Sequence, residues 1–172
     1  MDIRIRKTKQ SIYNAFIDLR SKMPLEKITV KDLCSQAQIN KSTFYVYYKD
    51  IYDLSDQIEN EIVGSVVKRF RDNIADPKNI AVLLCETYSA DQERISVVFS
   101  GSRKEQLPRK IESAIKETFF EVYPQFRNDF QMNARLTFCI YGGYYAYDEV
   151  RRTGQHDLIG EIGSMSAKIF DK

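Results

Sequence analysis

Residues 28–50 read ITVKDLCSQAQINKSTFYVYYKD, and this stretch decides the fold. Thr29 opens it as a helix N-cap, with Asp32 three positions later in a variant of the capping box. The spacing predicts a helix over Val30 to Ala37. Asn40 is a good N-cap for a second short helix, Lys41 to Tyr48. Leu33, Ala37, Ile39, Phe44 and Tyr48 fall where two steeply crossing helices would bury side chains, and Cys34 is small enough to let their backbones approach. Only Gln38-Ile39-Asn40, with its central apolar residue, connects them. That is the pattern of a helix-turn-helix, whose second helix enters the DNA major groove by its N-terminal end.

The residue types suit that task. Lys41, Ser42 and Thr43 stand at the leading end of the second helix, within reach of base edges or phosphates. The orphan N–H groups of its first turn also favour a phosphate. Tyr45 and Tyr47 point away from the Phe44/Tyr48 face, and their hydroxyls can bond phosphate oxygens. Charge agrees: residues 1–50 hold 10 Lys+Arg against 5 Asp+Glu, whereas residues 51–172 hold 16 against 19. The overall +2 therefore hides a +5 head and a −3 body. Arg4, Arg6, Lys7 and Lys9 read equally as a solvated tail or as a track for the DNA backbone.

Outward from this stretch, nearly every segment has helical periodicity. Ile5, Ile12, Phe16, Leu19 and Met23 form one stripe, ended by Pro24. Asp50 caps a long fourth helix with an apolar face of Ile51, Leu54, Ile58, Ile62, Val66 and Phe70. Asp76-Pro77 restarts the chain for Lys78 to Ser89. Gln92 to Ser100, about Glu105 to Val122, about Asn128 to Arg152 and Asp157 to Phe170 follow, with breaks at Gly101-Ser102, Pro124 and Thr153-Gly154. No period-two strand pattern appears. The expectation is an all-α chain.

At this point the sequence resembles the TetR family of transcriptional regulators. The family's signature is a Thr-started second helix, a Ser-x-x-Thr-Leu-Tyr-x-Tyr/His-Phe recognition helix and a Lys-Glu-x-Leu opening of helix 4. Thr29-Val30, Leu33-Cys34, Ala37, Asn40, Thr43-Phe44-Tyr45, Tyr47-Tyr48 and Leu54 stand at the matching positions, over about residues 5–55. Three positions depart from it. Gln38 replaces the usual turn Gly and must go left-handed if the geometry is kept. Asn40 replaces the Ser cap, and Ile51 replaces the phosphate-touching Lys, leaving Lys49 as the nearby cation.

The resemblance implies a three-helix DNA-binding head over residues 1–50 and a helical-bundle ligand-sensing and dimerisation domain over residues 51–172, joined by helix 4 at about 51–73. It implies double-stranded DNA contacts from Thr29, Lys41, Ser42, Thr43, Tyr45, Tyr47 and Lys49. An effector pocket would take Tyr88, Phe119, Tyr123, Phe138 and Tyr141 as lining, although core packing is the stronger reading at any one of them. Gly142, Gly143 and Ala146 offer a small-residue surface for a homodimer, or else permit a bend. The expected function is an effector-released repressor, dimeric on a palindromic operator.

Other classes fare less well. His156 is the one histidine, with no Glu-x-x-His or His-x-x-x-His around it, and Cys34, Cys85 and Cys139 are scattered. No metal site, cofactor or catalytic residue is therefore expected. The longest apolar run, Ile80 to Cys85, is a third of a membrane span, and residues 1–10 have no apolar stretch behind them. A cytoplasmic protein without membrane contact is expected. One alternative stays open: a helical interaction module that answers to a protein co-regulator, with weak or lost DNA binding.

Overall fold

The computed structural model describes residues 3–72, 80–154 and 159–170. Within them the chain is all-helical, without a strand. The helices are α1 (Ile3–Lys22), α2 (Val30–Ala37), α3 (Lys41–Tyr47), α4 (Ile51–Asp72), α5 (Ile80–Ala90), α6 (Gln92–Val98), α7 (Gln106–Val122), α8 (Phe130–Thr153) and α9 (Ile159–Ile169). Three 3-10 turns, Leu25–Lys27, Gly101–Arg103 and Pro124–Phe126, sit between them. The restart at Asp76-Pro77 and the expected start at Asp157 lie outside the described residues. No described helix is long and apolar enough to cross a membrane.

The ends follow local chemistry. Pro108 is the third residue of α7, where its missing N–H has no intrahelical acceptor to lose. α8 starts two residues later than expected, because the Asp129 carboxylate, rather than Asn128, takes the Met132 N–H at 3.1 Å. Gly154 closes α8 in the left-handed region at φ 73°. Tyr48 leaves α3 as extended backbone, one residue before the expected end.

The helices assemble into two compact units. The first comprises Met1–Glu61 and Glu93–Lys104, and the second comprises Ile62–Gln92 and Glu105–Lys172. A division at residue 50 does not anticipate this: the first half of α4, α6 and the following turn all pack with the N-terminal helices.

Ile12, Phe16, Leu25, Leu33, Phe44 and Leu54 are at most 2% exposed and make the centre of the first unit. Ile5, at the outer end of the α1 stripe, stays exposed. Two arginines hold the late segment in place. Arg20 is buried, and its guanidinium donates to the carbonyls of Met23 (3.1 Å), Val98 and Ser100 (both 3.3 Å) and to Ser100 Oγ (2.6 Å). Burial lowers its pKa, against the opposing fields of Glu26 and Glu59. Arg103 grips the fully buried Glu59 with Nε and Nη2, at 2.8 and 2.7 Å, and also pairs with Asp56. This two-point fork raises the Arg103 pKa.

In the second unit α5, α7, α8 and α9 pack on one another. An added Cβ at Gly163 would overlap Val82 Cγ2, so α9 approaches α5 closely there. Tyr88, fully buried, packs its ring against Tyr144 at 5.8 Å and Tyr147 at 5.5 Å. Cys85 and Cys139 are buried free thiols, both pushed up to about 11 chiefly by burial.

Candidate nucleic-acid interface

The candidate site starts at the cap of α2. Thr29 Oγ1 accepts the Asp32 N–H at 3.1 Å and donates to Asp32 Oδ2 at 2.6 Å. That hydroxyl proton is spent locally, although the oxygen remains exposed. At the other end of α2, Gln38 takes φ 55°, ψ 45°, the one left-handed non-glycine among the described residues. Ile39 N–H bonds Cys34 O at 3.0 Å and Gln38 N–H bonds Ser35 O at 3.3 Å, the paired bonds of a Schellman motif. Ser11 of α1 donates to the Ala37 carbonyl at 2.8 Å, tying the same end down from a second side. The turn therefore keeps its geometry without glycine.

α3 is two-sided. Phe44 is fully buried and Tyr48 is 8% exposed, their rings 5.5 Å apart. Lys41, Ser42, Tyr45 and Val46 are exposed, and Thr43 is half-buried. Of the two tyrosines, Tyr45 is the outward one, at 56% exposed; Tyr47 is half-buried beneath the Lys9 ammonium, 5.6 Å from its ring centroid. Asn40 caps α3 by position only, with no side-chain bond to the helix. Lys49 is exposed, and its backbone N–H is held by Asp53 Oδ2 at 2.8 Å. That bond, with one from Gln57, holds the Asp53 carboxyl below its usual range. Ile51 is 5% exposed and belongs to the core.

The exposed side of this short helix thus carries an ammonium, hydroxyls and one apolar group. Such a set can bond phosphate oxygens, read base edges and cover a thymine methyl. Sequence reasoning passed over Val46, which is 74% exposed. Its position, two residues from both Phe44 and Tyr48 and so opposite the face they anchor, was the available signal.

The aromatic candidates of the second unit fall into separate groups. Phe119 and Tyr123 pack with tilted rings, centroids 4.9 Å apart, and Phe126 joins them at 6.2 Å from Phe119. Tyr88 belongs instead with Tyr144 and Tyr147. Neither the Tyr88 nor the Tyr147 hydroxyl has a hydrogen-bond partner among the described residues. Phe138 is 66% exposed, and Tyr141 is half-buried beside Glu112. Burial first, then the Glu112 charge, raises the Tyr141 pKa. Gly142 is exposed next to Phe138, Ala146 is half-buried, and Gly143 faces inward. The two adjacent glycines do not share a surface.

Compared with known proteins, the chain matches no family model and no curated sequence.

Proposed function

We propose that this chain is a TetR-like, sequence-specific DNA-binding regulator that acts as a homodimer and is released from its operator by an effector. The observation that carries this reading is the two-sided α3. Phe44 and Tyr48 anchor it from within, while Lys41, Ser42, Tyr45 and Val46 face solvent. A 74% exposed valine gains nothing from folding, and contact with a thymine methyl gives it a role. Lys41 and Tyr45 serve as phosphate contacts, Ser42 and Thr43 as base contacts.

A helix of seven residues is roughly 10 Å long and covers only a few base pairs. Two copies related by a two-fold axis double the readout and call for a palindrome. Phe138, Gly142 and Tyr145 of α8 and Met165 of α9 are outward-facing and supply apolar surface for such a pairing. The buried hydroxyls of Tyr88 and Tyr147 give an effector's polar group something to bond. An effector favouring one separation of the two α3 helices shifts that equilibrium by its differential affinity and no further.

Selection from a random duplex pool, followed by band-shift titration, tests the reading. A palindromic consensus should emerge. Thr43→Ala with Tyr45→Ala should weaken binding more than tenfold while leaving the dimer mass unchanged. No sequence-selective binding at moderate salt overturns the proposal.

A further inference from the structure

The first unit contains a cavity of about 350 Å³ between α1, α4 and α6, whose recessed part the DNA-binding reading leaves without a role. Three cations reach it: Arg6 and Lys9 from α1, and Arg94 from α6. One carboxylate, Glu61, stands against them, leaving an excess of positive charge. Glu61 is paired with Arg94 at 3.7 Å, its side chain 71% exposed. Among the described residues, Arg6 and Lys9 have no acidic partner within ion-pair distance.

The arrangement is ordered rather than a loose basic surface. The Arg94 guanidinium lies over the Tyr13 ring, 5.1 Å from its centroid, and its side chain is only 29% exposed. This cation–π contact restrains the guanidinium, whose planar fork suits two-point bonding to a carboxylate or phosphate. Lys9 is steadied in the same way over Tyr47. Tyr13 and Tyr48 supply aromatic wall, and the carboxamides of Gln10 and Gln57 supply both donors and acceptors. The volume lies at the small end of the ligand-pocket range of roughly 300–1,000 Å³.

We propose that this cavity binds a small organic anion: a terminal phosphate or carboxylate carried on a planar, hydrogen-bonding group. The anion sits among Arg6, Lys9 and Arg94, and the planar part lies along Tyr13 and Tyr48. A duplex phosphodiester fits worse, because sugars flank it on both sides and the recessed floor, with Ile58 only 3% exposed, is out of its reach. The site is independent of the DNA-binding reading, and binding to it is measurable without DNA.

Isothermal titration of the full chain with AMP, and separately with orotate, tests this and distinguishes a phosphate source from a carboxylate one. Saturable binding of at least one probe, one per chain, is expected. The double variant Arg6→Ser/Lys9→Ser, both exposed in the native chain, should weaken it at least tenfold. Lys68→Ser, an exposed cation on the second unit, should leave it unchanged. Failure of both probes to saturate overturns the proposal, as does binding that ignores the double variant. So does a double variant whose only loss is in duplex DNA affinity and its salt dependence, which assigns these cations to the DNA backbone instead.

Discussion

At φ 55°, Gln38 holds a conformation that costs an L-residue roughly 1–2 kcal/mol. Two backbone bonds and the Ser11 hydroxyl keep it there. Glycine at this position escapes the steric cost but gives back about 0.5–1 kcal/mol through a freer unfolded chain. Gln38→Gly should therefore stabilise by about 0.5–1 kcal/mol, raising Tm by about 1–4 °C in a calorimetric scan. Gln38→Val, β-branched, should lower it. The strain was legible because the turn is only three residues long and lacks glycine. Arg20 shows what was not legible: an arginine reads as solvated by residue type, yet it is 4% exposed. Its acceptors at Val98 and Ser100 stand 78 and 80 residues further along the chain.

The same distinction holds for whole elements. Periodicity and caps located the described helices to within a residue or two, because both signals are local. They did not reveal that α6 and the Gly101–Arg103 turn belong with the N-terminal helices. Periodicity tells which face of a helix is buried, not what buries it. Here the partner is set by ion pairs across 44 and 47 residues, between Arg103 and Glu59 or Asp56. Arg103→Met removes the guanidinium from a fully buried carboxylate and should cost about 3 kcal/mol, the low end for breaking such a pair. The urea midpoint should fall with little change in slope. Adding Glu59→Leu should recover most of the loss, because two apolar groups replace the pair without leaving a buried charge behind, the Asp56 side chain being 51% exposed.

Across the whole molecule, the three thiols report on the units separately: Cys34 in the first, Cys85 and Cys139 in the second. Burial raises all three pKa values, the latter two to about 11. A thiol of that pKa is only about one part in a thousand thiolate at pH 8, so the folded chain should resist alkylation there. Each cysteine should become labelled only at urea concentrations that open its own unit. In Arg103→Met, mass spectrometry should find the threshold for Cys34 lowered more than those for Cys85 and Cys139. The division of the first unit into two stretches of sequence also sets a timetable. A ribosome adding about 5–20 residues per second takes about 2–9 s to pass from Glu61 to Lys104. During those seconds α1 to α3 and the start of α4 have left the peptidyl-transfer centre without the segment that finishes their core. Arg20 waits for carbonyls that are not yet made. The part of the chain synthesised first is therefore unfinished until residue 104 has been added, and a fragment ending at residue 61 lacks what its own core requires.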